Sequence, residues 1–352
     1  MSPSVEHLVH EFSEIGRQGD VKLHVLAAAV SRAIAPWVRH DGIRSAATDP
    51  ARPYSMVSTG VWHGYEPEIG RGLLHDYYTG HDLLGWTELA RRPVPVQLVG
   101  TGPGPHHEQA RRVFDAHDVG AELRCVLRDR NGVWGTLALM RRLGTRPFDR
   151  DDAHRLAALT PAMIKGLRAF VTAGPLTPRL PALPTGVTIL GPDNAVMSTT
   201  PQALNWIRHL KARDKGPEWI DQPGVMLDLA QQARAQGDHE TALPAYCSPA
   251  TVSGRWVLYQ AQVLQDNDKP TGQVAFVYSA ARGAELLPTF CRWYGITGRE
   301  QQIIAELCDG AAPKQIARRL DLSVHTVNDH LKAAFRKTNA GGRDELLAAL
   351  TT

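Results

Sequence analysis

The sequence predicts a multidomain α+β protein, in which two modules built on antiparallel sheets precede an all-α domain of four helices. Three observations lead to this prediction. The first two blocks mix the alternating period of strands with the helical period, whereas the chain from Ile296 onward shows only the helical period. A proline-rich stretch separates the first two blocks. A chain of 352 residues has room for two or three domains.

Composition is that of an ordinary globular protein. Apolar residues make up 43% and charged residues 21%, which is enough to bury a core in each domain. The formal net charge of +3 permits an anionic partner without requiring one. The N-terminus lacks the basic-then-apolar order of a signal peptide, and no apolar run approaches the roughly 18 residues of a membrane span. We therefore expect a cytoplasmic protein with no membrane contact.

Cysteine and histidine spacing predicts no metal and no other cofactor. The four cysteines lie far apart, without CxxC or Cys/His ligand spacing, and are expected to be small buried hydrophobic residues: Cys125, Cys247, Cys291 and Cys308. His75 and His81 are near one another in sequence, but two histidines without a third ligand are more often structural.

The first block, residues 1–171, has the order helix, strands, hairpin, long helix. Asn131-Gly132 separates two alternating apolar runs, which is a strong hairpin signal. A helical stripe then runs through 149–170: Leu156, Leu159, Met163, Leu167 and Phe170. This order predicts an α+β domain around an antiparallel sheet.

The remaining domain boundaries are predicted from two stretches that separate the blocks of regular secondary structure. Several prolines in 172–186 disfavour helix, so this stretch is predicted to be an extended linker. Residues 187–281 again read as strands and a helix, forming a smaller module. A second, shorter linker is predicted at 282–290, before a C-terminal domain at 291–352.

The C-terminal domain begins with a predicted capping box between Thr297 and Glu300. Gly310 suits the end of this first helix, and Pro313 suits the first turn of a second. Ser323 is the expected N-cap of a third helix, which follows a tight turn. Two short helices joined in this way predict a helix-turn-helix motif, with a short final helix after it.

The third helix has one apolar and one polar side. On its polar side lie His325, Asp329, Lys332 and Arg336, with Asn328 on the flank. Such a face is usually only solvated. A function for this face can therefore be inferred only if the whole helix-turn-helix motif is present with the correct spacing.

The complete motif resembles the LuxR-type (GerE-like) four-helix domain. The resemblance rests on Tyr294-Gly-Ile-Thr-Gly-Arg-Glu300, Gly310, Lys314-Gln-Ile-Ala317, Leu322-Ser323, Thr326-Val327, His330-Leu331 and Lys337. Two departures are Ala312, where the family usually has a capping Ser or Thr, and the glycine-rich Asn339-Ala-Gly-Gly342.

The resemblance implies a transcription regulator that binds double-stranded DNA through its third helix. The residues in base-reading positions are Asn328, Asp329 and Lys332, with His325 and Arg336 on the same side. The residues placed for phosphates are Lys314, Thr326 and Lys337. Because the domain is only weakly basic, we expect a homodimer on a two-fold symmetric site. RNA polymerase is a further candidate partner.

The first block resembles GAF-like sensor domains of actinobacterial LuxR-type regulators. This likeness rests on Val119-Gly-Ala-Glu-Leu-Arg-Cys-Val-Leu-Arg-Asp129, its continuation to Leu139, and Arg146-Pro-Phe-Asp149. The middle block is similar to a degenerate PAS-like sheet. A sensor pocket would be lined by an aromatic-rich set backed by an arginine: Tyr54, Trp62, Tyr65, Tyr77, Tyr78, Trp86 and Arg124. The alternative is that these residues only pack.

Two functional classes remain open beside an enzyme. The resemblance favours control by a small-molecule effector, and the alternative is a constitutive regulator whose first two modules only dimerise. Gly100-Thr-Gly-Pro-Gly-Pro105 is interrupted by prolines and is no phosphate-binding loop. Because GxSxG, HExxH and CxxC motifs are absent from the sequence, an enzyme is the remote third reading.

Overall fold

A computed structural model of the chain shows two antiparallel sheets followed by a group of helices, so the predicted α+β architecture is confirmed. The structure describes residues 5–17, 23–52, 59–64, 85–100, 105–115, 118–213, 224–236, 243–267 and 269–351. None of the helices in these ranges is long and apolar enough to cross a membrane.

The first sheet has five antiparallel strands in the order β2-β1-β5-β4-β3. The strands are β1 (Gly42–Ala47), β2 (Thr59–His63), β3 (Val96–Val99), β4 (Val119–Asp129) and β5 (Gly132–Arg142). The hairpin predicted at Asn131-Gly132 is confirmed, since β4 and β5 pair up to Asp129 opposite Gly132. Gly132 has φ of 141°, which a residue with a side chain rarely adopts.

Five helices accompany this sheet in the part of the module that the structure describes. They are α1 (Val5–Arg17), α2 (Leu23–Ile34), α3 (Trp86–Arg91), α4 (Pro105–Asp115) and α5 (Arg150–Thr172). The Asp149 side chain caps α5 by accepting from the Asp152 amide at 2.8 Å, while Asp152 accepts from Asp149. Leu156, Met163 and Phe170 of the predicted stripe are buried in the core of this module.

The second sheet has the order β7-β6-β10-β9-β8, again antiparallel. Its strands are β6 (Gly186–Leu190), β7 (Val196–Thr199), β8 (Ala245–Ser248), β9 (Val257–Asp266) and β10 (Lys269–Ala280). Among the described residues of this stretch, three helices lie between the strands in sequence: α6 (Pro201–Arg213), α7 (Gly224–Gln236) and α8 (Ala250–Ser253). A compact aromatic core joins this sheet to its helices, and Trp206, Phe276 and Tyr278 are fully buried there.

The proline-rich segment contains neither helix nor strand between Thr172 and Gly186. It lies against the second module, because the amides of Arg179 and Leu180 donate to the Gly254 carbonyl at 2.7 and 3.3 Å. The Trp206 indole also donates to the Pro184 carbonyl at 2.9 Å.

The prediction of a linker at 282–290 is wrong. This segment begins a helix, α9 (Gly283–Tyr294), in spite of Gly283 and Pro288. Leu286 and Phe290 are fully buried in the same apolar cluster as the first sheet. Burial of that face compensates for the poor local helix propensity.

Four further helices complete the chain, namely α10 (Gly298–Cys308), α11 (Pro313–Arg319), α12 (Val324–Thr338) and α13 (Arg343–Thr351). The predicted capping box is confirmed, with Thr297 Oγ1 accepting from the Glu300 amide at 3.3 Å and Glu300 accepting from Thr297 at 2.7 Å. The helices enclose a small core of apolar side chains: Ile303, Leu307, Ala311, Ile316, Ala317, Val327 and Leu331.

Candidate nucleic-acid interface

The helix pair α11 and α12 is joined by a tight turn. Asp321 adopts a positive φ of 52°, and the Leu322 amide donates to the Ala317 carbonyl at 2.8 Å. Ser323 caps α12 as predicted, accepting from the Thr326 amide at 3.0 Å. The turn therefore sets the angle at which α12 leaves α11.

Ala312 has no capping side chain, in keeping with the expected departure at this position. Gln315 compensates in part, because its side-chain oxygen accepts from the Ala312 amide at 2.8 Å. Pro313 stands at the first turn, where its missing N–H costs nothing.

α12 separates its residues into two faces. Val327, Leu331, Ala334 and Thr338 are buried. The five predicted base-reading residues are all exposed: His325, Asn328, Asp329, Lys332 and Arg336. The structure thus gathers donors and an acceptor on the outside of one helix, in the arrangement that major-groove reading requires.

His325 and Asp329 interact one turn apart on this face. Nδ1 of His325 lies 3.1 Å from a carboxylate oxygen of Asp329, and the two side chains are 83% and 57% exposed. This exposed contact restrains both side chains without removing them from solvent. The sequence spacing allowed the contact but did not predict it.

The expected phosphate-binding residues differ in their surroundings. Lys314 is exposed at the start of α11. Thr326 Oγ1 lies 2.8 Å from Ser323 Oγ, so its hydroxyl is partly engaged at the cap. Lys337 departs from expectation, because its ammonium group donates to both Glu300 oxygens at 2.6 and 2.9 Å.

Two arginines of α11 were missed by sequence reasoning. Arg318 is exposed near the end of that helix. Arg319 is also exposed and forms an ion pair with Glu306 at 2.5 Å. Basic residues in the last turn of a short helix carry little sequence signal, because they are also the usual helix-terminal choice.

The sensor pocket predicted in the first module is described only in part. Tyr54, Tyr65, Tyr77 and Tyr78 lie outside the described residues, as do His75 and His81. Trp62 belongs to β2, but its side chain is not described. The structure therefore reports on only two of the seven predicted residues, Trp86 and Arg124.

Arg124 is 3% exposed and donates through Nε to a Glu122 oxygen at 2.9 Å. Its guanidinium carbon lies 5.4 Å from the centre of the Trp86 ring, and that of Arg44 lies 5.9 Å from the same ring. Arg44 and Arg124 both stand opposite Ala138, from the strands on either side of β5. Both side chains therefore lie on one face of the sheet, together with a tryptophan.

Arg44 was not selected from the sequence. Its strand was too short to show which face it presents, and only the pairing with Ala138 reveals its position. Among the described residues, the Trp86 indole nitrogen is buried and has no hydrogen-bond partner. This polar face is the best-described part of the predicted pocket.

Thiols and metal ligands do not form a second site in the part of the chain that is described. Cys125, Cys247 and Cys291 are buried, as expected, and Cys308 is half-buried. Burial raises the pKa of Cys125 and of Cys247 to about 11 each. Within the same ranges, no three His, Cys, Asp or Glu residues come together in a way that could hold a metal ion.

Comparison with known proteins identifies the C-terminal segment. Residues 295–349 match the family model described as bacterial regulatory proteins, luxR family. The C-terminal domain is a LuxR-family domain. The matched residues begin at the C-cap of α9 and end within α13, so they contain the helix-turn-helix and its polar face.

A curated relative is similar to a short stretch of the chain. The monoamine regulon transcriptional regulator of Klebsiella aerogenes is 42% identical over 53 residues, which is 15% of this chain. The aligned part spans about a quarter of that relative, 23% of its length.

Two solved structures are similar at low scores. Escherichia coli SdiA shares 12% identity at a TM-score of 0.26, covering 99% of this chain and 90% of SdiA. SdiA in complex with octanoyl-rac-glycerol shares 14% at a TM-score of 0.25, covering 99% and 87%. Neither score indicates a common arrangement of the whole chain, so only the LuxR-family domain is assigned by comparison.

Proposed function

We propose that the chain is a sequence-specific transcription regulator that binds double-stranded DNA and reads its site with α12. The supporting observation is the exposed polar face of that helix, carried by a LuxR-family domain. A helix of this kind fits the major groove, where its side chains meet base edges.

Each reading residue has a complementary base. Asn328 can pair with adenine through two hydrogen bonds, Asp329 can accept from cytosine, and Lys332 can donate to guanine. His325 restrains Asp329 at 3.1 Å and can itself donate to a base acceptor. Arg336 lies one turn beyond Lys332 on the same side and suits guanine or a nearby phosphate.

Contacts with the phosphates of the DNA backbone are assigned to other residues of the domain. Lys314 and Thr326 are the proposed phosphate contacts, and we add Arg318, which is exposed near the end of α11. Lys337 is left out of this set because Glu300 already occupies its ammonium group.

The modest charge of the domain favours a homodimer. From Arg292 onward the chain has nine Lys or Arg residues against seven Asp or Glu. One such domain makes few phosphate contacts, and pairing two of them doubles that number on a two-fold symmetric site. RNA polymerase is a second proposed partner, since a bound regulator acts on transcription through it.

The decisive experiment is selection of genomic fragments by the full-length protein, followed by titration of the best fragment at two salt concentrations. We expect a palindromic site bound on the order of a thousand-fold or more above random DNA. Lys332→Ala should reduce this preference by about 1–3 kcal/mol, whereas Arg343→Ala, at the exposed start of α13, should keep it. Binding that is equally weak on all sequences would refute sequence-specific reading.

We further propose that a small molecule binds the first module and controls the DNA-binding domain. The supporting observation is the buried face on which Arg44 and Arg124 flank Trp86. Buried polar groups beside an aromatic ring are typical of a ligand pocket. The alternative is a constitutive regulator whose first two modules only dimerise.

A melting-temperature screen separates these two functions. Carboxylates, amines and neutral alcohols would be tested against the full-length protein and an Arg124→Gln variant. Control by an effector is supported if a compound raises the melting temperature of the native protein and shifts its DNA affinity. The same compound should change neither quantity in Arg124→Gln. If no compound shifts either quantity while the protein dimerises and binds its site, the constitutive regulator stands.

A further inference from the structure

A buried cluster of four residues connects three distant parts of the chain. Asp49 is fully buried, and Thr289 Oγ1 lies 2.8 and 2.9 Å from its two carboxylate oxygens. The amides of Ala51 and Cys247 donate to the same carboxylate at 3.0 and 3.3 Å. Arg52 forms an ion pair with it. We call Asp49, Arg52, Cys247 and Thr289 the Asp49 junction.

Arg52 closes the Asp49 junction from its more exposed side. Its Nη1 lies 3.4 Å from Thr289 Oγ1 and 3.5 Å from the Cys247 sulfur. The Arg52 side chain is 30% exposed, so the charge of Asp49 is compensated at the edge of the core. The carboxylate thus has donors from three separate segments.

These segments belong to different structural units. Asp49 follows β1, and its neighbour Thr48 is fixed to the β4–β5 hairpin through the Val133 carbonyl at 2.7 Å. Cys247 lies in β8 of the second sheet. Thr289 lies in the middle of α9, with no exposed surface.

α9 also shares an apolar cluster with the LuxR-family helices. Ile304 of α10, Ala334 of α12 and Leu346 of α13 belong to the same apolar cluster as Phe290. The orientation of these helices relative to the sheets therefore depends on where α9 lies.

A second contact holds the C-terminal end of α9 against the first module. Trp293 packs edge-to-face on Trp134 of β5, with ring centres 5.2 Å apart. Arg168 of α5 donates to the Trp293 carbonyl at 3.3 Å. The Asp49 junction holds the middle of α9, and these aromatic contacts hold its end.

A buried carboxylate has few stable arrangements. Its hydrogen-bond donors and its cationic partner must all be present to stabilise it. If one of them is lost, the negative charge is only partly compensated in the low dielectric of the protein interior. Because the donors come from three segments, the Asp49 junction favours an all-or-none change over gradual loosening.

We propose that the Asp49 junction is a conformational switch that holds α9 across both sheets and so fixes the orientation of the DNA-binding helices. When the junction opens, α9 separates from the sheets while both sheets stay folded. The effect of the junction on α9 is inferred from contacts within the chain alone. Its effect on DNA binding rests on the proposed function.

The test uses amide hydrogen exchange in the full-length protein. Thr289→Val removes the hydroxyl and keeps the shape, and we expect peptides from 283–294 to exchange at least tenfold faster while those from 119–142 keep their native rate. Thr338→Val is the matched control, because Thr338 is also buried but its hydroxyl donates within its own helix, to Ala334 at 2.9 Å. Thr289→Ser retains the hydroxyl and should behave as native.

Three results would overturn the proposal. They are unchanged exchange of α9 in Thr289→Val, equal acceleration in Thr338→Val, and acceleration of the whole chain together, which would mean only lost stability. Asp49→Asn combined with Thr289→Val adds a check. If both act through one junction, the double variant should exchange α9 no faster than the more affected single variant.

DNA binding is measured on the same variants. If the native protein binds its site and Thr289→Val binds it within twofold despite a released α9, the coupling to DNA is refuted. If the native protein binds no DNA, the proposed function fails, and the exchange data still decide whether the Asp49 junction holds α9.

Discussion

Lys337 and Glu300 form a bridge between the third and first helices of the LuxR-family domain. The ammonium group reaches both carboxylate oxygens at 2.6 and 2.9 Å, across 37 residues of sequence. One of those oxygens also accepts from the Thr297 amide at 2.7 Å. A single carboxylate thus caps α10 and attaches the end of α12 to it.

The bridge predicts a stability loss in Lys337→Met. Glu300 is 5% exposed, so removing its cationic partner should lower the free energy of unfolding by about 1–3 kcal/mol at pH 7. Urea unfolding measures this change. Lys332→Met is the matched control, since Lys332 is exposed on the same helix and should leave stability unchanged.

The same bridge predicts how the loss depends on pH. Burial acts to raise the pKa of Glu300, but hydrogen bonds from Lys337 and Thr297 outweigh it and leave the pKa below its usual value. A carboxyl group with a lowered folded pKa stabilises the protein above its unfolded pKa and stops doing so as pH falls through the folded value. The difference between native protein and Lys337→Met should therefore shrink in acid. A difference that is constant from pH 7 to pH 3 would contradict the ion pair.

Lys332→Ala tests the reading face directly. If Lys332 donates to a base, the variant should lose about 1–3 kcal/mol of binding free energy at the selected site and almost nothing on random DNA. Fluorescence anisotropy on both DNAs gives the two values. An equal loss on both would make Lys332 a phosphate contact and would move base reading to Asn328 and Asp329.

Ser323→Ala tests the start of the reading helix. The hydroxyl accepts from the Thr326 amide at 3.0 Å, and losing this cap should cost about 1 kcal/mol of unfolding free energy. Ser323→Asp should restore it, because a carboxylate caps equally well and suits the helix dipole. Thermal melting of the three proteins decides, and a Ser323→Asp variant as unstable as Ser323→Ala would rule out the cap.

Much of the fold was predictable because the signals are local. The turn at Asn131-Gly132 and the caps at Thr297 and Ser323 act within four residues, and the structure confirms all three. The exposed face of α12 follows equally directly from helical period. Such features depend on the nearest neighbours in sequence, which a single chain displays.

The errors come from contacts between distant residues. Residues 282–290 were predicted to be a linker because they lie between a strand-like run and the C-terminal helices, but Leu286 and Phe290 are buried in the apolar cluster of the first sheet and the segment is helical. The contact of Lys337 with Glu300 was not expected, because nothing local in the sequence shows Glu300 beside it. Arg44 shares a face with Arg124 only through strand pairing, which sequence spacing does not reveal.

Asp228 of α7 gives the last prediction, a pH effect between the two sheet modules. Desolvation raises the pKa of Asp228 to about 7, and the positive charge of Arg44 in β1 opposes this only partly. Because the folded pKa lies above the unfolded value near 4, folding favours the protonated form. The stability contributed by this group is fully present below about pH 4 and is lost as pH rises from there to about 7.

Asp228→Asn, which is neutral at every pH, should be more stable than the native protein at pH 8 by a few kcal/mol, and close to it at pH 4. Melting temperatures at both pH values measure this, with Asp118→Asn as an exposed control whose 57% accessible side chain should show no such difference. If Asp228→Asn is destabilised at pH 8, an ionised Asp228 paired with Arg44 is the native state, and desolvation is not the dominant effect.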